Sequence, residues 1–466
     1  MISKKEKFFY GMGDLSANIL FSSVSFYLLY FLVKIAGLSA FLVPIIFLIG
    51  KLWDAFTDYL MGLISDKTKS KYGKRRIYMI LGAVPFGLCF MLLWIIPFEM
   101  TTTIKCIYFT LIYMLYNTAF TVVYIPYNSL SANMTNDYDE RTSLNAVRII
   151  MANVGILLGA AIFSLLAEGK DSILYRIDGT EKTAYLVAGI IFGIIATVTM
   201  IICTLNVKER IDSNNQNSYS FFETLRQFFK LKEFKYNLIF YLLSMVGFDI
   251  IMAIFMFYIR DSLALGGGLI SMLFIAIPLI TAMIASVFWV NLTKNHEKHE
   301  VYKVAAIYMA IVLLLIFFVP KATKYSMTLT YILLGIVVIL VGIGMSAIQI
   351  IPWAILPDVI EFDEYVNGVR REGAYYGIVQ FIYKVASGIG VSVVSLILGA
   401  FGYIENPELL ESTNVVQPNA ALIAIRVILG LLPGIIFIVS AIYAKKGNIT
   451  RKHFNQIKNE LEKRKA

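Results

Sequence analysis

Long apolar runs recur along the whole chain, and short polar loops separate them. A run of about 20 apolar residues is long enough to cross a bilayer as a helix, so each run predicts one membrane span. The predicted spans are residues 8–33, 39–65, 77–98, 104–131, 144–167, 183–206, 236–259, 268–292, 304–320, 326–355, 373–403 and 420–444. The expected fold is an all-α membrane protein with twelve transmembrane helices in two six-helix halves.

Positive charge is distributed unevenly among the loops. Of the 41 Lys and Arg residues, 29 fall on the side that holds both termini and the central loop, and eight fall on the other side. Because the cytoplasmic loops of membrane proteins carry the excess of Lys and Arg, this pattern places both termini in the cytoplasm. Membrane topology thus accounts for the net charge of +10, and no nucleic-acid partner is expected.

A polar central loop divides the chain. We expect an N-terminal half at residues 1–206, a cytoplasmic loop with an amphipathic surface helix at 207–235, a C-terminal half at 236–444 and a basic cytoplasmic tail at 445–466. The two halves share a pattern near spans 4 and 10. Span 4 has Pro126 near its end and is followed by an acidic loop at 137–141 and the buried Arg148. Span 10 has Pro352 near its end and is followed by an acidic loop at 361–365 and the buried Lys384. A parallel repeat of six spans around a midplane site is the architecture of the major facilitator fold.

Composition excludes an ordinary soluble domain. The chain is 58% hydrophobic and 15% charged, whereas soluble domains are about 45–50% apolar and about 25% charged. Its three cysteines lie in or beside apolar runs and imply no disulfide framework. His296 and His299 are close enough in sequence to bind a metal, but their polar segment favours a solvated loop. The first apolar run lacks a small-residue cleavage site, so it is interpreted as a retained span.

Three charged residues interrupt span 2. Lys51, Asp54 and Asp58 have the spacing i, i+3, i+7, which places them on one face of a helix. A charge at bilayer depth is costly and usually marks an ion or substrate path. Two carboxylates one turn apart suit a hard cation such as Na⁺, or a proton if burial raises one pKa. The alternative is a buried salt-bridge network, in which Lys51 neutralises part of this charge.

Other spans carry polar side chains that suit a polyhydroxylated ligand. Thr121, Tyr124 and Asn128 share one face of span 4, and Asn18 lies in span 1. Arg148 offers a forked donor to hydroxyls or a carboxylate, and Lys384 offers a point charge. Asp249 and Arg426 are weaker candidates because each lies near enough to a span end to snorkel, and Asp14, near the cytoplasmic end of span 1, could simply be a charge at the start of a helix. The candidate substrate-binding residues are Asn18, Tyr124, Asn128, Arg148, Gln349, Gln380 and Lys384.

The loop after span 2 has a recognisable pattern. Gly62 and Asp66 precede Gly73, Arg75 and Arg76, in the form Gly-x-x-x-Asp…Gly-x-Arg-Arg. This pattern is similar to the loop between spans 2 and 3 of major facilitator proteins, where it acts as a cytoplasmic latch between helices. The alternative is a plain positively charged loop. Arg141, in the loop after span 4, is assigned to the same conformational set.

Several strings resemble the glycoside–pentoside–hexuronide:cation symporters, of which melibiose permease is the best-known member. They are Trp53-Asp54-Ala55-Phe56-Thr57-Asp58, Ile125-Pro126-Tyr127-Asn128-Ser129-Leu130, Asp137-Tyr138-Asp139-Glu140-Arg141-Thr142, and Arg370-Arg371-Glu372-Gly373 leading to Lys384. The resemblance implies a cation site at Asp54, Asp58 and Thr121 and a sugar cavity faced by Arg148 and Lys384. Asn18 is added to the candidate cation ligands because its amide can bond a hydroxyl or ligate Na⁺.

The chain departs from melibiose-type members in the cavity. Those members have aspartates where this chain has Asn18 and Tyr124, and a tryptophan where it has Asn128. The galactoside-recognition set is therefore absent, and a neutral glycoside, a pentoside or a hexuronide remains open as the substrate.

The sequence thus predicts a cation-coupled sugar symporter of the cytoplasmic membrane that works by alternating access. Na⁺ or H⁺ is the expected coupling ion, and no cofactor is expected. The protein is expected to work as a monomer embedded in the lipid bilayer. A transporter of another organic solute or lipid with the same fold is the first alternative. An intramembrane metal-dependent transferase is a remote second, since the sequence has no phosphate loop, zinc motif or nucleophile constellation.

Overall fold

The computed structural model describes residues 2–96, 101–135, 138–210, 229–265, 268–321, 326–367, 372–404, 417–446, 456, 457 and 460. Its α-helices, in chain order, are α1 (Lys4–Ser23), α2 (Val43–Lys67), α3 (Arg76–Leu92), α4 (Thr102–Met134), α5 (Tyr138–Leu157), α6 (Phe163–Ala167), α7 (Ile173–Asp178), α8 (Glu181–Asn206), α9 (Lys232–Phe257), α10 (Leu269–Asn295), α11 (Lys298–Leu314), α12 (Met327–Asn367), α13 (Glu372–Ala400), α14 (Asn419–Arg426) and α15 (Leu432–Lys446).

Short π-helical turns extend several helices. Val24–Leu28 and Phe31–Ile35 continue α1, Leu158–Ile162 joins α5 to α6, Tyr258–Ser262 continues α9, and Val427–Leu431 joins α14 to α15. Each predicted span coincides with one of these helical segments, which confirms the all-α membrane fold. Within the described residues, nine helices are long and apolar enough to cross a membrane. The other three predicted spans are α1, the charged α2 and the 17-residue α3.

Two predicted acidic loops are helical instead. α5 begins at Tyr138, inside the loop predicted at 137–141, and α12 runs to Asn367, through the loop predicted at 361–365. These segments contain no proline or glycine, and acidic residues are compatible with helix. The hydropathy pattern marks where the membrane ends, but the helix continues past that point into the polar phase.

The first compact unit comprises Met1–Gln216, Ala253–Ala276 and Val391–Ala424. Within it, α1 packs against α5 and α8, and α4 packs against α2 and α3. A Cβ atom added at Gly159 would lie 2.1 Å from the Ile19 carbonyl oxygen, and one added at Gly13 would lie 2.3 Å from the Tyr127 ring. Close packing around α1 therefore depends on residues without a side chain.

The second compact unit comprises Asn217–Met252, Ile277–Gly390 and Ile425–Ala466. Within it, α11 packs against α12 and α15. The Tyr302 hydroxyl lies 2.7 Å from Ser244 Oγ and 2.6 Å from Ser440 Oγ, so one buried chain of hydroxyls joins three helices. The predicted amphipathic helix at 221–229 falls mostly outside the described residues, as does most of the basic tail.

Candidate functional site

The span 2 carboxylates meet a hydroxyl from α4. Thr121 Oγ1 lies 2.6 Å from Asp58 Oδ1 and 3.2 Å from Asp54 Oδ1. Asp54 is 4% exposed and Thr121 is 1% exposed. Thr57 lies at the edge of the group, with its Oγ1 3.5 Å from Thr121 Oγ1. The helical spacing therefore does bring Asp54 and Asp58 to one point, which we call the paired-acid cluster (Asp54, Asp58, Thr57 and Thr121).

Contacts between α2 and α4 hold the paired-acid cluster in position. Asn117 Nδ2 donates to the Gly50 carbonyl oxygen at 3.2 Å, and Trp53 Nε1 donates to Thr118 Oγ1 at 2.8 Å. A Cβ atom added at Gly50 would lie 2.1 Å from the Tyr113 ring. The two helices are thus in close contact one turn before the acids, which fixes the register between Asp54 and Thr121.

The chemistry of the paired-acid cluster suits a small cation or a proton. A threonine hydroxyl has one hydrogen, so Thr121 can donate to only one of the two carboxylates at a time. Oxygen atoms from two carboxylates and two hydroxyls are hard ligands of the kind that alkali and alkaline-earth cations prefer. The same oxygens can share a proton when burial disfavours two adjacent negative charges.

Arg148 lies in a second cluster formed by α1, α4 and α5. Its Nε lies 2.5 Å from Asp14 Oδ2, and its Nη2 donates to the carboxamide oxygen of Asn128. The guanidinium stands 5.1 Å from the Tyr127 ring centroid, and the Tyr127 hydroxyl donates to Asp14 Oδ2 at 2.9 Å. Asp14 is therefore more than a charge at the start of a helix, because its carboxylate balances the buried charge of Arg148.

α4 connects the two clusters. Thr121 contacts Asp58, and Asn128 contacts Arg148, two helical turns further along the same helix. With a rise of 1.5 Å per residue, these two side chains start about 10 Å apart along the helix axis. Tyr124 lies between them and packs against Phe120, with ring centroids 4.9 Å apart. The two clusters are therefore joined through one helix, which contains Pro126 between them.

Asn18 makes a local contact. Its Nδ2 donates to the Asp14 carbonyl oxygen one turn earlier in α1, at 2.8 Å. This bond fixes the amide beside the residue that pairs with Arg148. Its assignments to the cation and to the substrate stay predictions, as do the roles of Gln349 and Lys51.

The second compact unit contains a carboxylate that sequence analysis ranked low. The Tyr383 hydroxyl lies 3.0 and 3.2 Å from the two carboxylate oxygens of Asp249, which is well inside α9 and its π-helical extension. Tyr383 follows the predicted ligand Gln380 by one helical turn and precedes Lys384. Tyr241 packs between Tyr383 and Trp353, at centroid distances of 6.0 and 5.1 Å. Aromatic rings beside a carboxylate are a common setting for sugar hydroxyls and sugar rings.

The predicted latch loop is held to α8 by a residue that sequence analysis missed. The Glu209 carboxylate accepts hydrogen bonds from the backbone N–H groups of Lys74, Arg75 and Arg76, at 2.9–3.1 Å. These groups open α3, whose N-terminus favours an anion. Gly73 has φ +99°, and a Cβ atom there would lie 2.4 Å from Glu209 Oε1, so glycine is required at this position.

The two arginines of that loop make further contacts within the first unit. Arg75 Nη1 donates to Ser65 Oγ at 2.9 Å, and Arg76 Nε donates to the Thr204 carbonyl oxygen at 3.0 Å. Gly62 faces open space among the described atoms. The side chains of Asp66 and Arg141 lie outside the described part of the structure. No sequence pattern singles out Glu209, because it is one of several charged residues after span 6.

Comparison with known protein families gives one match over nearly the whole chain. The family described as MFS/sugar transport protein matches residues 9–450. This range includes both clusters of the first unit, the latch loop and Asp249.

Curated relatives match over nearly their full length. The inner membrane symporter YicJ of Escherichia coli (strain K12) is 26% identical, and the match covers 96% of this chain and 92% of the relative. The isoprimeverose transporter of Lactiplantibacillus pentosus is 27% identical over 90% of this chain and 85% of its own. The glucuronide carrier protein homolog of E. coli (strain K12) is 25% identical over 98% and 95%.

Solved transporter structures share the fold. The crystal structure of a D-xylose–proton symporter aligns with a TM-score of 0.64 at 13% sequence identity, and the alignment covers 96% of this chain and 98% of the other. This likeness and the family match together confirm the predicted major facilitator fold.

Proposed function

Because the chain belongs to the MFS/sugar transport protein family, and so is a transporter and not an enzyme, we propose that it carries a glycoside, pentoside or hexuronide together with a monovalent cation. The names of its relatives support this choice, since they include a symporter, an isoprimeverose transporter and a glucuronide carrier. The chain is a multi-pass membrane protein. We further propose that it lies in the cytoplasmic membrane with both termini inside the cell. We also propose that it functions as a monomer.

The observation that carries the proposal is the paired-acid cluster, two helical turns along α4 from the Arg148 cluster. In the proposed mechanism Asp54 and Asp58 bind the cation with help from Thr121. Binding neutralises charge at the α2–α4 contact and fixes α4. The Asn128–Arg148 pair then presents donors and acceptors to the sugar. Each ligand thereby favours the binding of the other, and this coupling is reciprocal.

The substrate class follows from the charge of the sugar-binding residues. Asn18, Tyr124 and Asn128 are neutral, and among the described residues the carboxylate that pairs with Arg148 is that of Asp14. A site of this kind has no strong negative field to repel a uronate, and its guanidinium can bond a carboxylate or hydroxyls. A neutral glycoside, a pentoside and a hexuronide therefore all remain candidates, with Lys384, Gln380 and Gln349 proposed as second-half ligands.

The test is uptake by right-side-out membrane vesicles that contain the full chain. Labelled D-xylose, methyl-β-D-glucoside and D-glucuronate are offered under a Na⁺ gradient or a pH gradient, imposed separately. We expect one gradient to drive accumulation of at least one sugar. Asp54→Asn and Asp58→Asn are expected to abolish accumulation while leaving some downhill exchange, because the cation site is lost but the sugar site is kept.

The matched control is Asp171→Asn. Asp171 is an exposed acid of the same unit, 3.8 Å from Arg176, and its loss should leave accumulation unchanged. Gradient-driven uptake that persists in both Asp54→Asn and Asp58→Asn would show that the coupling ion binds elsewhere. Accumulation of none of the sugars under either gradient would count against sugar symport.

A further inference from the structure

A second group of charges lies at the end of the first unit that is remote from the N-terminus. Arg260 Nη1 lies 3.1 Å from Glu168 Oε1, and its Nη2 lies 2.9 Å from Glu181 Oε1. Lys34 Nζ lies 3.9 Å from Asp261 Oδ1, and the Tyr403 hydroxyl donates to Asp261 Oδ2 at 2.8 Å. We call these six residues the ion network.

The ion network is almost wholly buried. Glu168 has no exposed surface, and the side chains of Lys34, Asp261, Arg260 and Glu181 are 10–19% exposed. Arg260 stands 5.7 Å from the Tyr30 ring centroid, and Phe257 packs between Tyr30 and Tyr403, at 5.0 and 5.4 Å. Buried charges are stable only when they are paired, so these partners hold one another in place.

The ion network joins the two halves of the sequence. Lys34, Glu168 and Glu181 belong to the first six predicted spans. Arg260, Asp261 and Tyr403 belong to the last six, yet they lie in the same compact unit as the first three. Every ion pair of the network therefore has one partner from each half of the sequence.

Backbone contacts strengthen the same junction. The Gly268 N–H donates to the Glu168 carbonyl oxygen at 2.6 Å. Ser395 Oγ donates to the Ala40 carbonyl oxygen at 2.7 Å, and Ser392 Oγ donates to the Pro44 carbonyl oxygen at 3.1 Å. Residues 253–276 and the end of α13 are thus attached to the first half at several points.

We propose that the ion network is the latch that keeps the outer end of the transporter closed in this conformation. Alternating access requires the two halves of the sequence to part at this end so that solute can enter from outside. The charges can separate only if water replaces each partner, because an unpaired charge in a dry site is strongly unfavourable. Opening and hydration of the vestibule are therefore one event. The proposal holds whichever solute is carried.

Cysteine reactivity tests the latch without a known substrate. Ala40, which has no exposed surface, is replaced by cysteine in the full chain, and the purified protein in nanodiscs is treated with a soluble maleimide. Labelled peptides are measured by mass spectrometry. We expect slow labelling at position 40 in the parent. In Arg260→Gln it should be about tenfold faster or more, since a charged hydrogen bond is worth about 1.5–3 kcal/mol and 1.4 kcal/mol is a factor of ten.

Two controls separate the latch from loss of structure. Arg176→Gln removes an exposed ion pair at the same end whose partners both come from the first half, and it should leave the rate unchanged. The native Cys203 is fully buried in the same unit, and its labelling should stay slow in every variant. Faster labelling of Cys203 together with position 40 would mean general unfolding and would overturn the proposal.

A charge exchange gives the strictest outcome. Lys34→Asp and Asp261→Lys should each speed labelling at position 40, and the double variant should return most of the way to the parent rate, because the pair is restored in reverse. Rates equal to the parent in all variants would overturn the latch. The proposal would also be overturned if the double variant were labelled at position 40 as fast as the faster of the two single variants.

Discussion

Two of the groups of buried acids described in the first unit are held in different ways. In the ion network, Glu168 and Glu181 both contact the guanidinium of Arg260, at 3.1 and 2.9 Å. In the paired-acid cluster, Asp54 and Asp58 both contact the single hydroxyl of Thr121. A guanidinium has five hydrogens and a full charge, whereas a hydroxyl has one hydrogen and none. The first arrangement places a full positive charge between its acids, whereas the contacts described for the second bring carboxylate oxygens together around a hydroxyl, which is the arrangement that we propose accepts a cation.

This difference separates stability from function. Removing the cation of the ion network leaves carboxylates buried without compensation, so the fold itself is weakened. Removing the hydroxyl or one charge of the paired-acid cluster changes the ligands offered to an ion and affects the fold less. The same residue types, aspartate and glutamate, thus serve as structural ties in one place and as a proposed binding site in the other.

The largest effect should come from Arg260→Met. This change keeps much of the side-chain volume but leaves Glu168 without its charged partner, so we expect a loss of about 3–5 kcal/mol in the free energy of unfolding. The measurement is denaturant titration of the purified protein in mixed micelles. Asp58→Asn, measured in parallel, should lose much less, because Asn keeps the shape and the hydrogen-bonding capacity of the half-exposed Asp58.

Equal losses in Arg260→Met and Asp58→Asn would contradict the distinction between the two groups of acids. A loss near zero in both would show that neither group contributes to stability in the folded state.

A smaller effect is expected from Thr121→Val. Valine matches the shape of threonine but removes the hydroxyl that both carboxylates contact. A hydrogen bond to a charged group is worth about 1.5–3 kcal/mol, so the coupling ion should bind about tenfold more weakly. The measurement is the cation concentration that gives half-maximal sugar uptake.

Thr118→Val is the matched control for that change. Thr118 lies on the same helix, and its hydroxyl accepts from Trp53 Nε1 and donates to the Met114 carbonyl oxygen. Its loss perturbs the α2–α4 contact without removing a proposed cation ligand, so it should shift the cation requirement much less than Thr121→Val. A tenfold shift in both variants would attribute the effect to the α2–α4 contact and not to cation ligation.

Sequence reasoning located the paired-acid cluster better than the ion network, for a physical reason. Asp54 and Asp58 share one helix, so the 3.6-residue period alone places them together. In the sequence, Lys34 and Arg260 look like ordinary charges of the less basic set of loops. The hydropathy pattern cannot show that each pairs with a residue more than 70 positions away. Asp14 is a similar case: its pairing with Arg148 is a property of α1–α5 packing.

The helical architecture was equally accessible, because span length and apolar composition are local properties. The ends of the helices could not be predicted in the same way. α12 continues twelve residues past the predicted end of span 10, since polar residues can prolong a helix outside the membrane. Glu209 was missed because a carboxylate that caps the α3 N-terminus is recognised only when the fold brings α8 and α3 together.

The smallest effect should be a dependence of closure on pH, set by Glu168. Burial raises the pKa of Glu168 and outweighs the lowering effects of the Arg260 charge and the hydrogen bonds from Ser271 and Ser164. The groups that surround it are Arg260, Glu181, Tyr27 and Tyr185. In an open, hydrated state its pKa would return toward the ordinary value.

Because the closed form then binds a proton more tightly than the open form, closure should be favoured as the pH falls and should lose this contribution as the pH rises through the raised pKa. Maleimide labelling of Ala40→Cys, normalised at each pH to the rate for the denatured protein, should therefore slow on acidification. Glu168→Gln cannot titrate at this position and should make the pH profile less steep. A parent rate that speeds on acidification would contradict closure favoured by protonation, and a parent profile that is unchanged by Glu168→Gln would show that Glu168 is not the titrating group.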